Sequence, residues 1–136
     1  MVDGRSSVLE QIPQHLNRIS GEIVDASIKV HTHLGPGLLE NVYETCLAYE
    51  LEKRGHKVER QVQLGVNYEG VKLDIGFKLD LLVDSEVIVE LKAAEKLLPI
   101  HTAQILTYLK LSNCRLGLLI NFNVPRLKEG ITRFVR

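Results

Sequence analysis

A carboxylate and an ammonium group lie two residues apart inside an apolar segment, VIVELKAA, that spans residues 87 to 94. The apolar run predicts a buried β-strand, and on a strand residues two apart point to the same face. Glu90 and Lys92 would therefore lie side by side in an apolar layer. Burial of such charges is costly unless they are paired or bound to something. Two interpretations stay open: an internal ion pair, or part of a functional site.

Asp80 lies on the strand that precedes this segment. If the two strands pair across a short turn, Asp80 lies close to Glu90. Two carboxylates and a lysine on neighbouring strands would form an oxygen site for Mg²⁺ or Mn²⁺, with the ammonium where a water or a phosphate binds. The alternative is a solvated position, because the same strand face carries three other charged residues. These are Lys72, Asp74 and Lys78.

Polar residues also recur with helical spacing just after the charged strand. His101, Gln104 and Tyr108 are three and four residues apart, and this stripe would face either the charged strand or solvent. Glu40 lies in the first turn of a predicted helix, a position that the helix dipole favours without any function. Tyr43, three residues later, is equally well explained by packing.

The elements that must position these residues follow from the hydrophobic periodicity. Apolar residues at helical spacing predict one helix from Ile19 to Leu34 and a second from about Leu38 to Arg54. Gly35-Pro36-Gly37 separates the two helices. Strict alternation then predicts a long β-hairpin from Val58 to Val83, with one solvated face, one buried apolar face and a turn at Glu69-Gly70.

The second half of the chain completes the predicted fold. A third helix from about Leu97 to Leu111 follows the Glu90 strand, and a second apolar strand runs from Arg115 to Phe122. This strand, helix and strand predict a right-handed crossover with parallel pairing, and Ile131 to Arg136 would add an edge strand. The order ααβββαβ(β) indicates an α/β (α+β) fold with a mixed central sheet flanked by helices. We expect residues 1–17 to form a mobile N-terminal tail and residues 18–136 to form a single domain.

Composition and charge are those of a soluble globular protein. The 136 residues are 45% hydrophobic, and 17 basic residues balance 17 acidic ones, so no overall field attracts nucleic acid. Residues 61–100 carry 4 basic and 7 acidic residues, whereas residues 101–136 carry 6 basic and 1 acidic. This asymmetry would suit a metal site beside a phosphate-binding surface, or it is scattered solvated charge. Cys46 and Cys114 lack metal-ligand spacing, and no segment has the pattern of a signal peptide or a membrane span, so we expect a cytoplasmic protein.

Five motifs occur in order along the chain. The first, at residues 37–43, reads GLLENVY; the others read LDLLVD at 79–84, VIVELKA at 87–93, HTAQILTYLK at 101–110 and GLLINF at 117–122. Together they resemble the GxxExxY protein family, a branch of the PD-(D/E)XK nuclease superfamily. The resemblance covers about residues 18–136 and implies a restriction-endonuclease-like core. Asp80 follows a leucine where the name of the superfamily has a proline.

The resemblance implies catalytic roles for the residues that match the acid of the superfamily, its (D/E)XK and the QxxxY motif of the RecB-like nucleases. These are Asp80, Glu90, Lys92, Gln104 and Tyr108. It also implies that Glu40, Asp80 and Glu90 would hold Mg²⁺ or Mn²⁺.

The function that follows from the resemblance is metal-dependent hydrolysis of phosphodiester bonds in nucleic acid, with DNA favoured. Basic residues near the C-terminus would contact the nucleic acid. These are Arg115, Arg126, Lys128 and Arg133. Two alternatives stay open: a catalytically silent module of this fold that binds nucleic acid or a partner protein, and a structural protein whose polar strand pairs internally. A nuclease core this small would need a second copy to grip a duplex, so homodimerisation is a further hypothesis.

Overall fold

A computed structural model describes residues 12–136. Its elements in chain order are α1 (Gln14–Leu34), α2 (Glu40–Lys53), β1 (Val58–Tyr68), β2 (Val71–Val83), β3 (Val87–Lys92), α3 (Pro99–Ser112), β4 (Leu116–Asn121), a 3₁₀ turn (Leu127–Gly130) and β5 (Ile131–Val135). This order confirms the predicted α/β (α+β) fold with a mixed sheet flanked by helices.

Helix α1 begins at Gln14, five residues before the predicted start at Ile19. Ile12 and Leu16 are buried in the core, so residues 12–17, which we expected in an N-terminal tail, are part of the fold. Residues 1–11 of that predicted tail lie outside the described residues. The predicted start was too late, because Ile12 and Leu16 already continue the stripe of Ile19 at spacings of four and three residues.

The loop between α1 and α2 is held at both ends by one side chain. Gly35 and Gly37 have φ values of 71° and 98°, which glycine adopts without strain. The hydroxyl of the fully buried Tyr43 donates to the Gly35 carbonyl oxygen at 2.6 Å and accepts from the Leu38 N–H at 3.1 Å. These bonds set the point at which Glu40 begins α2.

The strands follow one another in the sheet order β1-β2-β3-β4-β5. β1 and β2 form an antiparallel hairpin, and its turn residues Glu69 and Gly70 have φ values of 49° and 83°, as in a type I′ turn. β3 and β4 are parallel and are connected through α3. β5 is the far edge strand, antiparallel to β4. The predicted hairpin, parallel pair and edge strand are all confirmed.

Helices cover both faces of the sheet. Within β3, Val89 packs towards α1 and α2, whereas Ile88 packs with Leu109 of α3. Gly117 of β4 lets α3 approach closely, because a Cβ there would lie 3.1 Å from Ile105 Cδ1. The sheet around β3 is therefore the middle of three layers. Among residues 12–136, no helix has both the length and the apolar character needed to cross a membrane.

The outer part of the hairpin extends beyond these layers. β2 pairs with β3 only over residues 81–83, and over residues 71–75 the apolar side chains of β2 are exposed. The exposed fractions of Val71, Leu73 and Ile75 are 58%, 45% and 83%. The prediction of an apolar face buried along the whole hairpin is therefore wrong. Alternation indicates a strand but says nothing about what covers it, and none of the described helices covers this part.

Candidate active site

Asp80 and Glu90 lie opposite each other where the β2–β3 ladder ends. The last paired residues are Leu81 and Val89, and the same register places Asp80 across from Glu90. Here side chains replace backbone pairing. The Asp80 N–H donates to Glu90 Oε2 at 2.8 Å, and the Leu91 N–H donates to Asp80 Oδ2 at 2.9 Å. Each carboxylate thus satisfies a backbone donor that has lost its partner strand.

The backbone is irregular at the same level of β1 and β2. Leu81 packs in the cluster under α1 and α2, whereas Leu79 packs in the cluster under α3, so the alternation of buried side chains breaks at Asp80. On β1, the register places Gln61 across from Asp80, and its φ is 49°. That left-handed conformation costs about 1 kcal/mol in a residue other than glycine. Such irregularities re-aim side chains, and here Asp80 is aimed at the β3 strand.

Burial and mutual repulsion oppose ionisation of the two carboxyl groups. Burial, followed by the charge of Asp80, raises the pKa of Glu90 to about 8, although Lys92 acts in the other direction. Burial also raises the pKa of Asp80. Glu90 is 3% exposed, so its ionised form is disfavoured unless a positive charge compensates it. An excess of buried negative charge is typical of a site that receives a cation.

Glu40 and Lys92 extend this cluster at the end of β3. Burial raises the pKa of Glu40, whereas the charge of Lys92 and a backbone hydrogen bond at Ala93 lower it. The charge of Lys92 also acts on Asp80 and Glu90, yet Lys92 forms no direct ion pair with a carboxylate among residues 12–136. The charges of Glu40 and Lys92 therefore act on the Asp80–Glu90 pair, whereas the direct contacts of the site are those between Asp80 and β3.

Tyr108 approaches the carboxylates from α3. Its ring stacks on Phe77 of β2, with the ring centroids 4.6 Å apart and the ring planes at 18°. Burial raises the pKa of Tyr108, as do the charges of Glu90 and Asp80, while a hydrogen bond with Gln104 opposes them. The polar stripe on α3 thus faces the charged strand at these two positions.

A further buried carboxylate beside the site was not predicted. Glu44 is 7% exposed and lies four residues after Glu40 on α2. Gln61 Nε2 lies 2.6 Å from Glu44 Oε1 and 3.4 Å from Asp80 Oδ1 and donates to both. Arg60 Nε donates to Glu44 Oε2 at 3.1 Å. The i,i+4 spacing of the two glutamates was the available signal, whereas Gln61 acquires its role only through the pairing of β1 with β2.

Asn121 fixes the chain that leaves β3 and was also missed. Its buried side chain accepts from the Ala94 N–H at 3.1 Å and donates to the Ala94 carbonyl oxygen at 2.9 Å. The Phe122 N–H donates to the Lys92 carbonyl oxygen at 2.9 Å. The backbone of Lys92 and of the residues after it is therefore held against β4.

Comparison with known families decides the relationship that the motifs suggest. A family model described as the PD-(D/E)XK nuclease superfamily matches residues 17–134. The chain belongs to the PD-(D/E)XK nuclease superfamily. The predicted superfamily is confirmed, while the narrower GxxExxY branch stays a prediction. Neither the curated proteins nor the solved structures gave a match.

Membership of the PD-(D/E)XK superfamily supports a nuclease and implies nucleic acid as the substrate. Nucleases of this superfamily generally use divalent metal ions. Within residues 12–136, no three His, Cys, Asp or Glu side chains are placed so as to hold a metal ion. The donors nevertheless fit by their chemistry, because three carboxyl groups with raised pKa values would be neutralised by a hard cation. Asp80 and Glu90 would have to release their backbone N–H partners first.

The four predicted nucleic-acid-binding residues are spread over this PD-(D/E)XK domain. Arg126 and Lys128 are exposed and follow β4 at the end of the sheet where Lys92 lies. Arg115 precedes β4 at the opposite end, about 20 Å away at a rise of about 3.3 Å per residue. Arg133 lies on β5 and hydrogen-bonds to the side chain of an asparagine on α1. Only the first two are therefore on the side of the candidate active site.

Proposed function

We propose that this chain is a metal-dependent nuclease that hydrolyses phosphodiester bonds of DNA. The observation that carries the proposal is the pairing of Asp80 and Glu90 at the end of the β2–β3 ladder, under the influence of the charges of Lys92 and of Glu40 on α2. In a nuclease superfamily, an acid, a (D/E)XK and a helix carboxylate in electrostatic contact support cleavage rather than a structural ion pair.

Mg²⁺, or Mn²⁺ in its place, suits this set of donors. Glu40, Asp80 and Glu90 would bind it through carboxylate oxygens, the ligands that hard cations prefer. When bound, such an ion supplies a water of lowered pKa and neutralises charge on the scissile phosphate. To act as ligands, Asp80 and Glu90 would have to release the backbone N–H groups that they now accept from, and both would bind in the ionised form.

Lys92 would act on the substrate. Because its ammonium forms no direct ion pair with a carboxylate in the described part of the chain, it can donate to a phosphate oxygen or orient the attacking water. The bonds from Asn121 and Phe122 hold the strand from which it projects. Gln104 and Tyr108 would then position Lys92 or the substrate backbone, since neutral side chains are weaker ligands for the cation.

The choice of DNA rests on the similarity of Gln104 and Tyr108 to the QxxxY motif of RecB-like nucleases. Arg126 and Lys128 would contact phosphates close to the cleaved bond, because they lie at the same end of the sheet as Lys92. Arg115 would reach only nucleic acid that extends along the sheet for about 20 Å. Contacts of this kind add affinity without base specificity.

One observation favours the alternative, a silent module that binds nucleic acid or a partner protein. Asp80 and Glu90 already use an oxygen each on backbone N–H groups, and no three acidic side chains among residues 12–136 form a ready cation site. A module of this kind would retain nucleic acid with no product in the presence of either cation.

The experiment compares Lys92→Ala with the parent and with Lys96→Ala, a control at an exposed position four residues further on. Single- and double-stranded DNA and RNA are incubated with Mg²⁺ or Mn²⁺, and product is quantified on gels. We expect Lys92→Ala to lose at least about 100-fold in cleavage rate with an unchanged melting temperature, and Lys96→Ala to cleave like the parent. Equal cleavage by Lys92→Ala would refute its assignment, and binding without product by the parent would establish the silent module.

A further inference from the structure

Gln61 has a strained backbone at the position of β1 that lies across from Asp80. The residues on either side of Gln61 pair regularly with β2, whereas the φ of Gln61 is 49°. Glycine or asparagine adopts such a left-handed conformation at lower cost than glutamine. The backbone alone therefore does not account for a glutamine here. Strain of this kind is often retained where a side chain has a functional role.

The side chain of Gln61 connects two carboxylates that lie on different elements. Its Nε2 is 2.6 Å from Glu44 Oε1 and 3.4 Å from Asp80 Oδ1. A glutamine amide carries two N–H donors, so one can serve each carboxylate. Glycine has no side chain and asparagine is shorter by one methylene group, so neither would span the two acceptors in the same way.

Glu44 anchors this amide from the side of α2. The carboxylate is 7% exposed, and Arg60 Nε and Nη2 lie 3.1 and 3.0 Å from its Oε2. The same Nη2 donates to Thr45 Oγ1 at 2.8 Å. The other oxygen, Oε1, accepts from Gln61. Because α2 and β1 together hold Glu44, the amide of Gln61 has a fixed point from which it can orient Asp80.

The two carboxylate oxygens of Asp80 have partners on opposite neighbouring strands. Oδ2 accepts from the Leu91 N–H of β3 at 2.9 Å, whereas Oδ1 accepts from Gln61 of β1. For Asp80 to bind a cation, Oδ2 would have to release the Leu91 N–H, and the amide of Gln61 could still hold Oδ1. The 3.4 Å contact leaves Asp80 room to turn, and hydrogen bonds in active sites are often this long before a ligand binds.

We propose that Gln61, anchored by Glu44, is a positioning residue that orients the Asp80 carboxylate for the cation. This inference rests on the proposed function, because it concerns the same cation site. Gln61 acts through Asp80 and is not itself a ligand. Partners that orient metal-binding side chains in this way typically contribute about 10- to 100-fold to metal affinity.

The test compares Gln61→Ala and Gln61→Gly with the parent, each as the full chain. Both variants lack the amide, so both should bind Mg²⁺ about 10-fold or more weakly, measured by titration calorimetry. Gln61→Gly should nevertheless melt at a higher temperature than Gln61→Ala, because only glycine relieves the positive φ. A purely structural role would leave the Mg²⁺ affinity of both folded variants at the value of the parent.

Gln63→Gly is the matched control, because Gln63 is an exposed glutamine on the same strand and pairs with Lys78. It should melt at a lower temperature than the parent, since glycine weakens a strand, and yet bind Mg²⁺ like the parent. Stability and metal affinity would then change independently at the two positions.

A folded Gln61→Ala that binds Mg²⁺ as tightly as a parent that cleaves DNA overturns the positioning role and leaves the proposed function intact. Equal losses of affinity in Gln61→Ala and Gln63→Gly also overturn it, because they would show a general effect of the strand. A parent that neither binds Mg²⁺ nor cleaves DNA instead overturns the proposed function, and the role of Gln61 with it.

Discussion

Replacement of Glu90 by glutamine tests whether the buried carboxyl group is held in its protonated form. Its folded-state pKa is raised from the usual 4.5 to about 8 by burial and by the charge of Asp80. A raised pKa means that the folded state binds the proton more tightly than the unfolded state. The resulting stability is fully present below about pH 4.5 and is lost as the pH rises through about 8. Glutamine keeps the shape of the side chain and an oxygen that can accept from the Asp80 N–H, but it cannot ionise.

The expected size of the effect follows from the shift. A change from 4.5 to about 8 corresponds to about 5 kcal/mol, since one pKa unit is about 1.4 kcal/mol. Water entry and small side-chain movements reduce the cost of a buried charge, so we expect about 2–3 kcal/mol in practice. At pH 5 the parent and Glu90→Gln should have similar free energies of unfolding. At pH 9 the variant should be the more stable protein by that amount.

Urea unfolding at pH 5, 7 and 9, followed by circular dichroism without added metal, measures this difference. Glu95→Gln is the matched control, because Glu95 is exposed and lies just after β3. Its free energy of unfolding should follow that of the parent at every pH. The reasoning is refuted if the difference between parent and Glu90→Gln is the same at pH 5 and pH 9.

Three other predictions address neighbouring groups. Mg²⁺ at a hundred times its dissociation constant should stabilise the parent by about 2.7 kcal/mol, and Asp80→Asn should lose most of the corresponding rise in melting temperature; an equal rise would remove Asp80 from the site. His56 has a raised pKa because its bonds to Asp84 and Glu22 outweigh burial, so its stabilisation is present below pH 6.5 and lost as the pH rises through the folded value. In the Glu90→Gln variant, where Glu90 no longer titrates, His56→Gln should flatten the dependence of the free energy of unfolding on pH. An unchanged dependence would contradict this. Gln61→Ala should unfold about 1 kcal/mol more easily than Gln61→Gly, because only glycine relieves the positive φ; equal stabilities would show that no strain is stored there.

The elements and their order were predictable because their apolar patterns are strong. β3 is an apolar run interrupted by Glu90 and Lys92, and the hairpin turn at Glu69-Gly70 has the residues that its backbone requires. The start of α1 and the exposure of the outer part of the β1–β2 hairpin were not predictable in the same way. Periodicity marks helix ends poorly, and alternation does not reveal which neighbouring elements reach a face.

The charged residues of the candidate site were predictable from the sequence, whereas the residues that hold them in place were not. Alternation along β2 placed Asp80 on the same face as several charged residues, so a solvated position stayed open. The alternation breaks at Asp80, opposite the positive φ of Gln61, and this break turns the Asp80 side chain towards β3. Glu44 and Asn121 act through partners that are distant in sequence, so only the folded chain reveals them. The basic residues were grouped by sequence proximity, yet β4 carries Arg115 and Arg126 to opposite ends of the sheet.

The short pairing between β2 and β3 determines where the sheet opens most easily. Three residue pairs join these strands, whereas six join β3 to β4, so transient opening of the sheet begins where the fewest backbone bonds resist it. That place adjoins both carboxylates. Local opening between β2 and β3 would let Asp80 and Glu90 turn from the backbone towards an incoming ion while the helices stay packed. Backbone amides should therefore exchange slowly within the paired residues and quickly at the first unpaired ones. A packed domain with one weakly paired strand junction explains how carboxyl groups that are hydrogen-bonded to the backbone can still rearrange to bind an ion.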